Sequence, residues 1–115
     1  MRILFDHGTP RGLARELYGH TVTAAKAIGW ERLSNGALLS AAESAGFDRF
    51  LTTDQRIQYL QNLAGRMIAI VVLSGTTSGL RFRLHVARIA VAVNASSPGT
   101  YAEVFIPFKP RKGEA

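Results

Sequence analysis

The 115-residue chain has no cysteine, a single tryptophan and only four prolines. Without cysteine it cannot build a disulfide framework. It has no apolar run near the roughly 20 residues that cross a bilayer. Its first residues reach Asp6 after only a short apolar stretch, which is too little for the core of a secretory signal. These absences predict a soluble, cytoplasmic protein without a membrane anchor.

Several catalytic signatures are also missing from the chain. It has no serine nucleophile motif, no P-loop and no glycine-rich dinucleotide fingerprint, and the corresponding chemistries are therefore disfavoured. Acidic residues are scarce as well, with 8 Asp and Glu against 14 Lys and Arg and a net charge of +6. This excess attracts polyanions such as RNA, although a merely solvated basic surface is the alternative interpretation.

The length and the apolar pattern predict one α/β domain. We expect a single domain over residues 1–108 and a flexible basic tail over 109–115. Strand patterns separated by helical patterns predict an open, mainly parallel sheet of about five strands. The unalternated run from Ile68 to Leu73 is typical of a parallel strand that is covered on both faces.

The predicted strands lie in "ILF", "HTVTAA", "FDRFLTT", "MIAIVVLS" and "TYAEVFIP". Helices are predicted after Thr9 as a cap, after Asn35 as a cap, over residues 54–65 and over residues 78–96. In the second of these helices, Ala45 is expected on the apolar face and Gly46 is expected to end the helix.

Two aspartates follow predicted strands directly. Asp6 ends the first strand and Asp54 ends the third, and ligands of open parallel sheets bind beyond the carboxyl ends of the strands. Two such carboxylates are suited to Mg²⁺ or Mn²⁺, which prefer oxygen ligands and retain several waters. A hydroxyl from Thr52 or Thr53 and the amide of Gln55 would orient water or phosphate there. The alternative is that each aspartate only caps a helix.

Basic residues suggest where a polyanion would bind. At about 100° per residue, Arg81, His85 and Arg88 fall in one arc of the last predicted helix, whose apolar face carries Leu84, Ala87 and Val91. These three basic residues would contact RNA phosphates. The alternative is that they form a solvated edge of a packed helix. His7, beside Asp6, is a further candidate for a metal or phosphate contact.

The chain resembles the short PIN-like proteins of the family called DUF5615, often found near toxin–antitoxin genes. The resemblance rests on "ILFDHGTP", "GHTVTAAKAIGW", "LSNGALLSAAESAGFDRFLTTDQ" and "NLAGRMIAIVVLS". It implies a three-layer α/β/α PIN-like fold and a Mg²⁺- or Mn²⁺-dependent ribonuclease in which Asp6 and Asp54 bind the metal. Asn35 stands where many PIN-like proteins have an aspartate, and would act as an auxiliary catalytic ligand. His7 stands where many of them have a second acid.

Three functions follow as hypotheses. The first is a metal-dependent PIN-like ribonuclease, a candidate toxin with an antitoxin as partner and a homodimer as the default assembly. The second is a non-catalytic PIN-like module that binds RNA or protein through a degenerate acidic site. The third is a receiver domain, because Lys109 and Pro110 follow the fifth predicted strand as Asp6 and Asp54 follow the first and third.

Overall fold

The structure is a computed structural model, and it describes residues 1–6, 9, 11–17, 19–55, 57, 66–75 and 84–107. Five strands and two α-helices make up most of the described chain, together with two 3₁₀ helices. The elements are, in chain order, β1 (Arg2–Phe5), the first 3₁₀ helix (Arg11–Glu16), β2 (Thr21–Ala24), the second 3₁₀ helix (Ala25–Ile28), α1 (Asn35–Ser44), β3 (Arg49–Thr52), β4 (Ala69–Gly75), α2 (Val86–Ala95) and β5 (Tyr101–Ile106).

The five strands form one parallel sheet in the order β2-β1-β3-β4-β5, which confirms the predicted α/β fold. β4 lies between β3 and β5, and six of its seven residues are buried, as the unalternated apolar run predicts. Chain order reverses at β1, because β2 lies on one side of it and β3 on the other. Such a reversal, called a topological switch point, is where open α/β sheets bind their ligands.

Each face of the sheet is covered by helices, so the architecture has three layers. On one face, α2 buries Ile89 and Val93 against the sheet, the first 3₁₀ helix buries Leu13, and Leu17 directly after that helix joins the same core. On the other face, α1 packs its buried apolar residues against alternate residues of β1, β3 and β4. Because successive strand residues point to opposite faces, each strand contributes to both cores.

The N-cap residue of α1 lies one position earlier in the chain than the sequence predicts. Ser34 is the N-cap, since its Oγ accepts a hydrogen bond from the backbone N–H of Ala37 at 3.4 Å, and Asn35 is the first helical residue. The expectation that Asn35 caps the helix is therefore wrong. Gly46, with φ of +85°, ends the helix as predicted, but Ala45 is exposed and does not join the buried face.

The helix α2 also differs from its prediction. Its buried residues are Ile89 and Val93. The predicted apolar face of Leu84, Ala87 and Val91 is on the solvent side, with Leu84 64% and Val91 67% exposed. Both sides of the helix carry apolar residues, so the periodicity did not identify the side that packs.

Two polar contacts join the elements away from the switch point. Arg49 is buried at the start of β3 and donates to the carbonyl oxygens of Val93 and Ser96 at the end of α2. Glu43 of α1 forms a 2.7 Å ion pair with Arg66 and accepts a hydrogen bond from the backbone N–H of Met67. Burial alone would raise the pKa of Glu43, but these hydrogen bonds and the charge of Arg66 outweigh it, and the pKa is lowered.

Some predicted features lie outside the described residues. These are most of the helix predicted over 54–65, the first part of the helix predicted over 78–96, and the whole tail of 109–115. Across the part of the chain that the structure describes, no helix has both the length and the apolar character to span a membrane.

Candidate functional site at the switch point

Asp6 lies directly beyond the carboxyl end of β1, next to the end of β3. Its backbone N–H donates to the carbonyl of Leu51 at 3.1 Å, which continues the pairing of the two strands past the last residue of β1. The residue is only 9% exposed. Burying a carboxylate is costly unless polar partners compensate it, so the groups that contact its oxygens are central to the site.

Two threonine hydroxyls donate to the Asp6 carboxylate, one to each oxygen. The Thr9 hydroxyl lies 2.7 Å from Oδ1, and the Thr52 hydroxyl donates to Oδ2. Both threonines are buried, at 4% and 0% exposure. The Thr9 hydroxyl is also 3.2 Å from the carbonyl oxygen of Leu51, so it joins β3 to the loop after β1. The Thr9 hydroxyl is therefore a hydrogen-bond partner of Asp6. Its predicted role as the helix cap before Pro10, which lies outside the described residues, stays a prediction.

Thr52 connects the two predicted acids. Its Oγ1 accepts a hydrogen bond from the backbone N–H of Asp54 at 3.0 Å, while its single hydroxyl proton is donated to Asp6. A hydroxyl has one donor and can accept at the same time, so this arrangement uses both capacities. The backbone of Asp54 is thus fixed, through one side chain, relative to the carboxylate of Asp6.

The oxygen donors suit a small, hard divalent cation. Each carboxylate oxygen of Asp6 accepts a threonine proton, and an ionised carboxylate is an acceptor-only oxygen group of the kind that such a cation prefers. Asp54 is half-buried and supplies a second carboxylate to the same edge of the sheet. Within the described ranges, no three His, Cys, Asp or Glu side chains come close enough to form a metal cluster. A site of two carboxylates completed by water is one that Mg²⁺ accepts.

The remaining predicted acid-site residues occupy the same end of the fold. Asn35 begins α1, which connects β2 to β3, so this helix terminus faces the carboxyl edge of the sheet. Thr53 is half-buried and Gln55 is exposed in the turn after β3. The direct contact to Asp6 comes from Thr52; the auxiliary roles of Asn35, Thr53 and Gln55 stay predictions.

Two of the predicted RNA contacts lie together at the start of α2. His85 is its N-cap residue, and its Nδ1 lies 3.4 Å from Nη1 of Arg88. The same Nη1 of Arg88 donates to the carbonyl of Phe105 near the end of β5, at 2.9 Å. Arg81 and His7 lie outside the described residues. The pair sits at the carboxyl edge of the sheet, which it shares with Asp6.

Two concave regions lie near the described helices. The larger, about 420 Å³, runs between α2 and the edge strand β5. The smaller, about 250 Å³, lies beside Phe5, the residue that precedes Asp6, and is called here the β1/β2 hollow. The larger groove is separated from Asp6 by β3 and β4, so volume alone does not identify the chemical site.

The sequence offered partial signals for the two threonines. Thr52 stands two residues before Asp54, and the sequence presented it with Thr53 as a source of hydroxyls. Thr9 stands three residues after Asp6, a spacing that allows a side chain to bond back across a turn, but its place before Pro10 favoured a helix cap instead. Comparisons with family models, with curated proteins and with solved structures found no match to the chain.

Proposed function

We propose that the protein is a metal-dependent PIN-like ribonuclease of the DUF5615 type, in which Asp6 and Asp54 hold Mg²⁺ or Mn²⁺. One observation carries the proposal: at the switch point of the sheet, a single buried threonine hydroxyl joins the carboxylate of Asp6 to the backbone of Asp54. A purely capping role for each aspartate would not require them to share a partner.

Each residue of the site has a role in this proposal. Thr9 and Thr52 hold the Asp6 carboxylate in one orientation through hydrogen bonds to both of its oxygens. When bound, the divalent cation would lower the pKa of a coordinated water and polarise a phosphoryl oxygen. His85 and Arg88, with the net charge of +6, would attract the RNA backbone.

The reaction is hydrolysis of a phosphodiester. A water oxygen forms a bond to phosphorus, the ester P–O bond on the opposite side breaks, and the departing sugar oxygen takes up a proton. Only water is consumed, so no further co-reactant is needed. The proposal extends to a toxin in the cytoplasm, with an antitoxin as protein partner and a homodimer as the default assembly.

The test is RNA cleavage with purified protein. A labelled single-stranded RNA is incubated with Mn²⁺ and the products are separated on a gel. Cleavage is expected with the wild type, and is expected to disappear with EDTA and in Asp54→Asn. Cleavage that persists in Asp54→Asn would come from a contaminating nuclease and would refute the proposal.

A non-catalytic PIN-like module is the second candidate. It is favoured by the absence, among the described residues, of a cluster of three potential metal ligands. In this case the basic surface holds RNA or a protein without turnover. Salt-sensitive RNA binding that is unchanged by EDTA and by Asp54→Asn, with no cleavage, would select it.

The receiver-domain hypothesis is favoured by one feature, the strand order β2-β1-β3-β4-β5, which receiver folds share. Lys109 and Pro110, on which it also depends, lie outside the described residues. Incubation with acetyl phosphate followed by mass spectrometry tests it, because a receiver domain would gain one phosphoryl group on Asp54.

A further inference from the structure

Strand β5 forms one margin of the sheet, and no described strand lies beyond it. The carbonyl of Thr100 accepts a hydrogen bond from the N–H of Ile70 in β4, so it points into the sheet. Successive residues of a strand direct their backbone groups to alternate sides. The backbone groups of Tyr101, Glu103 and Phe105 are therefore directed away from β4, toward the open margin. Such a row of groups is a template for a further strand.

The devices that usually protect an open margin are absent from β5. Lysine, proline, a bulge or a very short strand would discourage pairing there. The sequence YAEVFI contains neither lysine nor proline, and its register with β4 runs without interruption from Tyr101 to Ile106. Arg88 gives one partial cover, because it donates to the carbonyl of Phe105. This contact favours the beginning of β5 as the place where another strand is added.

The helix α2 gives the margin an apolar flank. The larger groove separates the helix from β5, and its lining residues are Ala87, Arg88, Val91, Ala92, Glu103 and Val104. Beside it, Val91 is 67% exposed and Phe105 is 53% exposed. Exposed apolar surface that adjoins an open strand margin is typical of a protein interface.

The charge of this surface favours a second copy of the chain as its partner. With a net charge of +6, two copies repel each other in most orientations. The elements α2 and β5 together carry one cation, Arg88, and one anion, Glu103. Two copies that meet through these elements therefore avoid the repulsion. A two-fold interface also has to be complementary to itself, and two identical strands meet this condition when they pair antiparallel.

We propose that β5 pairs antiparallel with β5 of a second copy, joining the two sheets into one and placing the two α2 helices on the same side of it. The inference rests on the proposed function for the homodimer alone, and it names the surface that forms this dimer. Because the two β5 strands run in opposite directions, the two Asp6 sites lie at opposite edges of the joined sheet. Each site is therefore complete without the other copy.

The contacts of β5 place the two-fold axis beside Ala102. An axis beside Glu103 would set two carboxylates opposite each other, and like charges destabilise a strand pair. That axis, or one further along the strand, would also use the carbonyl of Phe105, to which Arg88 already donates. An axis beside Ala102 avoids both conflicts.

A single introduced cysteine tests this register, because the chain has none of its own. Ala102→Cys would bring the two cysteines opposite each other at the axis. The Cα atoms of such a pair lie about 4.5 Å apart, which a disulfide can span. After oxidation, a covalent dimer of twice the 12.5 kDa chain is expected on a non-reducing gel. Phe105→Cys, on the same strand but away from the axis, and Ala45→Cys, exposed at the amino edge of the sheet, are the matched controls and should stay monomeric on that gel.

Sedimentation velocity measures the assembly without a crosslink, and the wild type is expected to be a dimer. Glu103→Pro removes an N–H that points away from β4, and should weaken the dimer by at least about tenfold because each copy loses one donor at the margin. Glu103→Ala is the matched control, since it removes the same side chain and keeps the N–H. It should remain dimeric. Val91→Lys places a cation on the flank of each copy and tests the same surface if Glu103→Pro does not fold. Thermal melts check the fold of every variant.

A monomeric wild type would overturn the inference, and so would a dimer without the Ala102→Cys crosslink. A dimer that survives in folded Glu103→Pro or folded Val91→Lys, or a Phe105→Cys protein that crosslinks as well as Ala102→Cys, would do the same. RNA cleavage is scored separately, and a folded monomeric variant is expected to cleave at the wild-type rate per chain. A β5 dimer that cleaves no RNA would refute the nuclease and retain the interface. Cleavage by a monomeric wild type would refute the interface and retain the nuclease.

Discussion

Replacing Thr52 by valine should destabilise the protein more than its small chemical change suggests. The substitution keeps the shape of the side chain and removes one hydroxyl at a position with 0% exposure. That hydroxyl donates to Asp6 and accepts from the backbone N–H of Asp54. The variant therefore leaves two polar groups short of a partner in a poorly hydrated place.

The magnitude follows from these two lost bonds. A hydrogen bond to a charged group contributes about 1.5–3 kcal/mol, and a neutral one contributes about 1 kcal/mol. The backbone N–H of Asp54 is half-buried and regains part of its loss from water, so we expect about 2–3 kcal/mol in total. Urea unfolding monitored by circular dichroism measures this difference in the free energy of unfolding.

Two further variants serve as controls. Thr53→Val removes the hydroxyl of the neighbouring half-buried residue and should cost less than about 1 kcal/mol. Thr52→Ser keeps the hydroxyl and should recover most of the loss, apart from about 1 kcal/mol for the deleted methyl group. A Thr52→Val protein as stable as Thr53→Val would contradict the assigned link between the two aspartates.

Two predictions concern other parts of the fold. Gly75→Ala should cost about 3 kcal/mol in unfolding experiments, because its φ is +86° and a Cβ there would clash with the backbone carbonyl of Ile106. Gly29→Ala, with φ of +79° and open space around it, should cost only about 1–2 kcal/mol. Glu43→Gln should cost about 1 kcal/mol at pH 7 through the lost ion pair with Arg66. The pKa of Glu43 is lowered on folding, so the ionised side chain stabilises the fold above the unfolded pKa of about 4.3. This stabilisation is lost as the pH falls through the folded pKa. The wild type and Glu43→Gln should therefore converge in stability in acid.

The sequence predicted the parallel sheet, and the positions of Asp6 and Asp54 after two of its strands, because both depend on local patterns. The run from Ile68 to Leu73 excludes an exposed face, and the positions of Asp6 and Asp54 after strands place them at one edge whatever the details of packing. In the structure, the parallel pairing of β1 and β3 brings the carboxyl ends of these two strands side by side.

The contacts around the acids could not be predicted in the same way. Thr9 precedes a proline, which locally favours a helix cap, but its hydroxyl contacts Asp6 and a carbonyl 42 residues away. Local capping and tertiary hydrogen bonding compete for the same hydroxyl, and only the folded chain brings the second partner near. In α2, the stripes of Val91 and of Ile89 are similarly apolar, so periodicity alone did not indicate which one is buried.

Titration of the protein with Mn²⁺ by calorimetry tests the central claim most directly. The claim is that Asp6 and Asp54 hold one divalent cation together. It predicts binding of one ion to the wild type, and loss of that binding in both Asp6→Ala and Asp54→Ala variants that remain folded. No binding by the wild type, or undiminished binding by either folded variant, would contradict it.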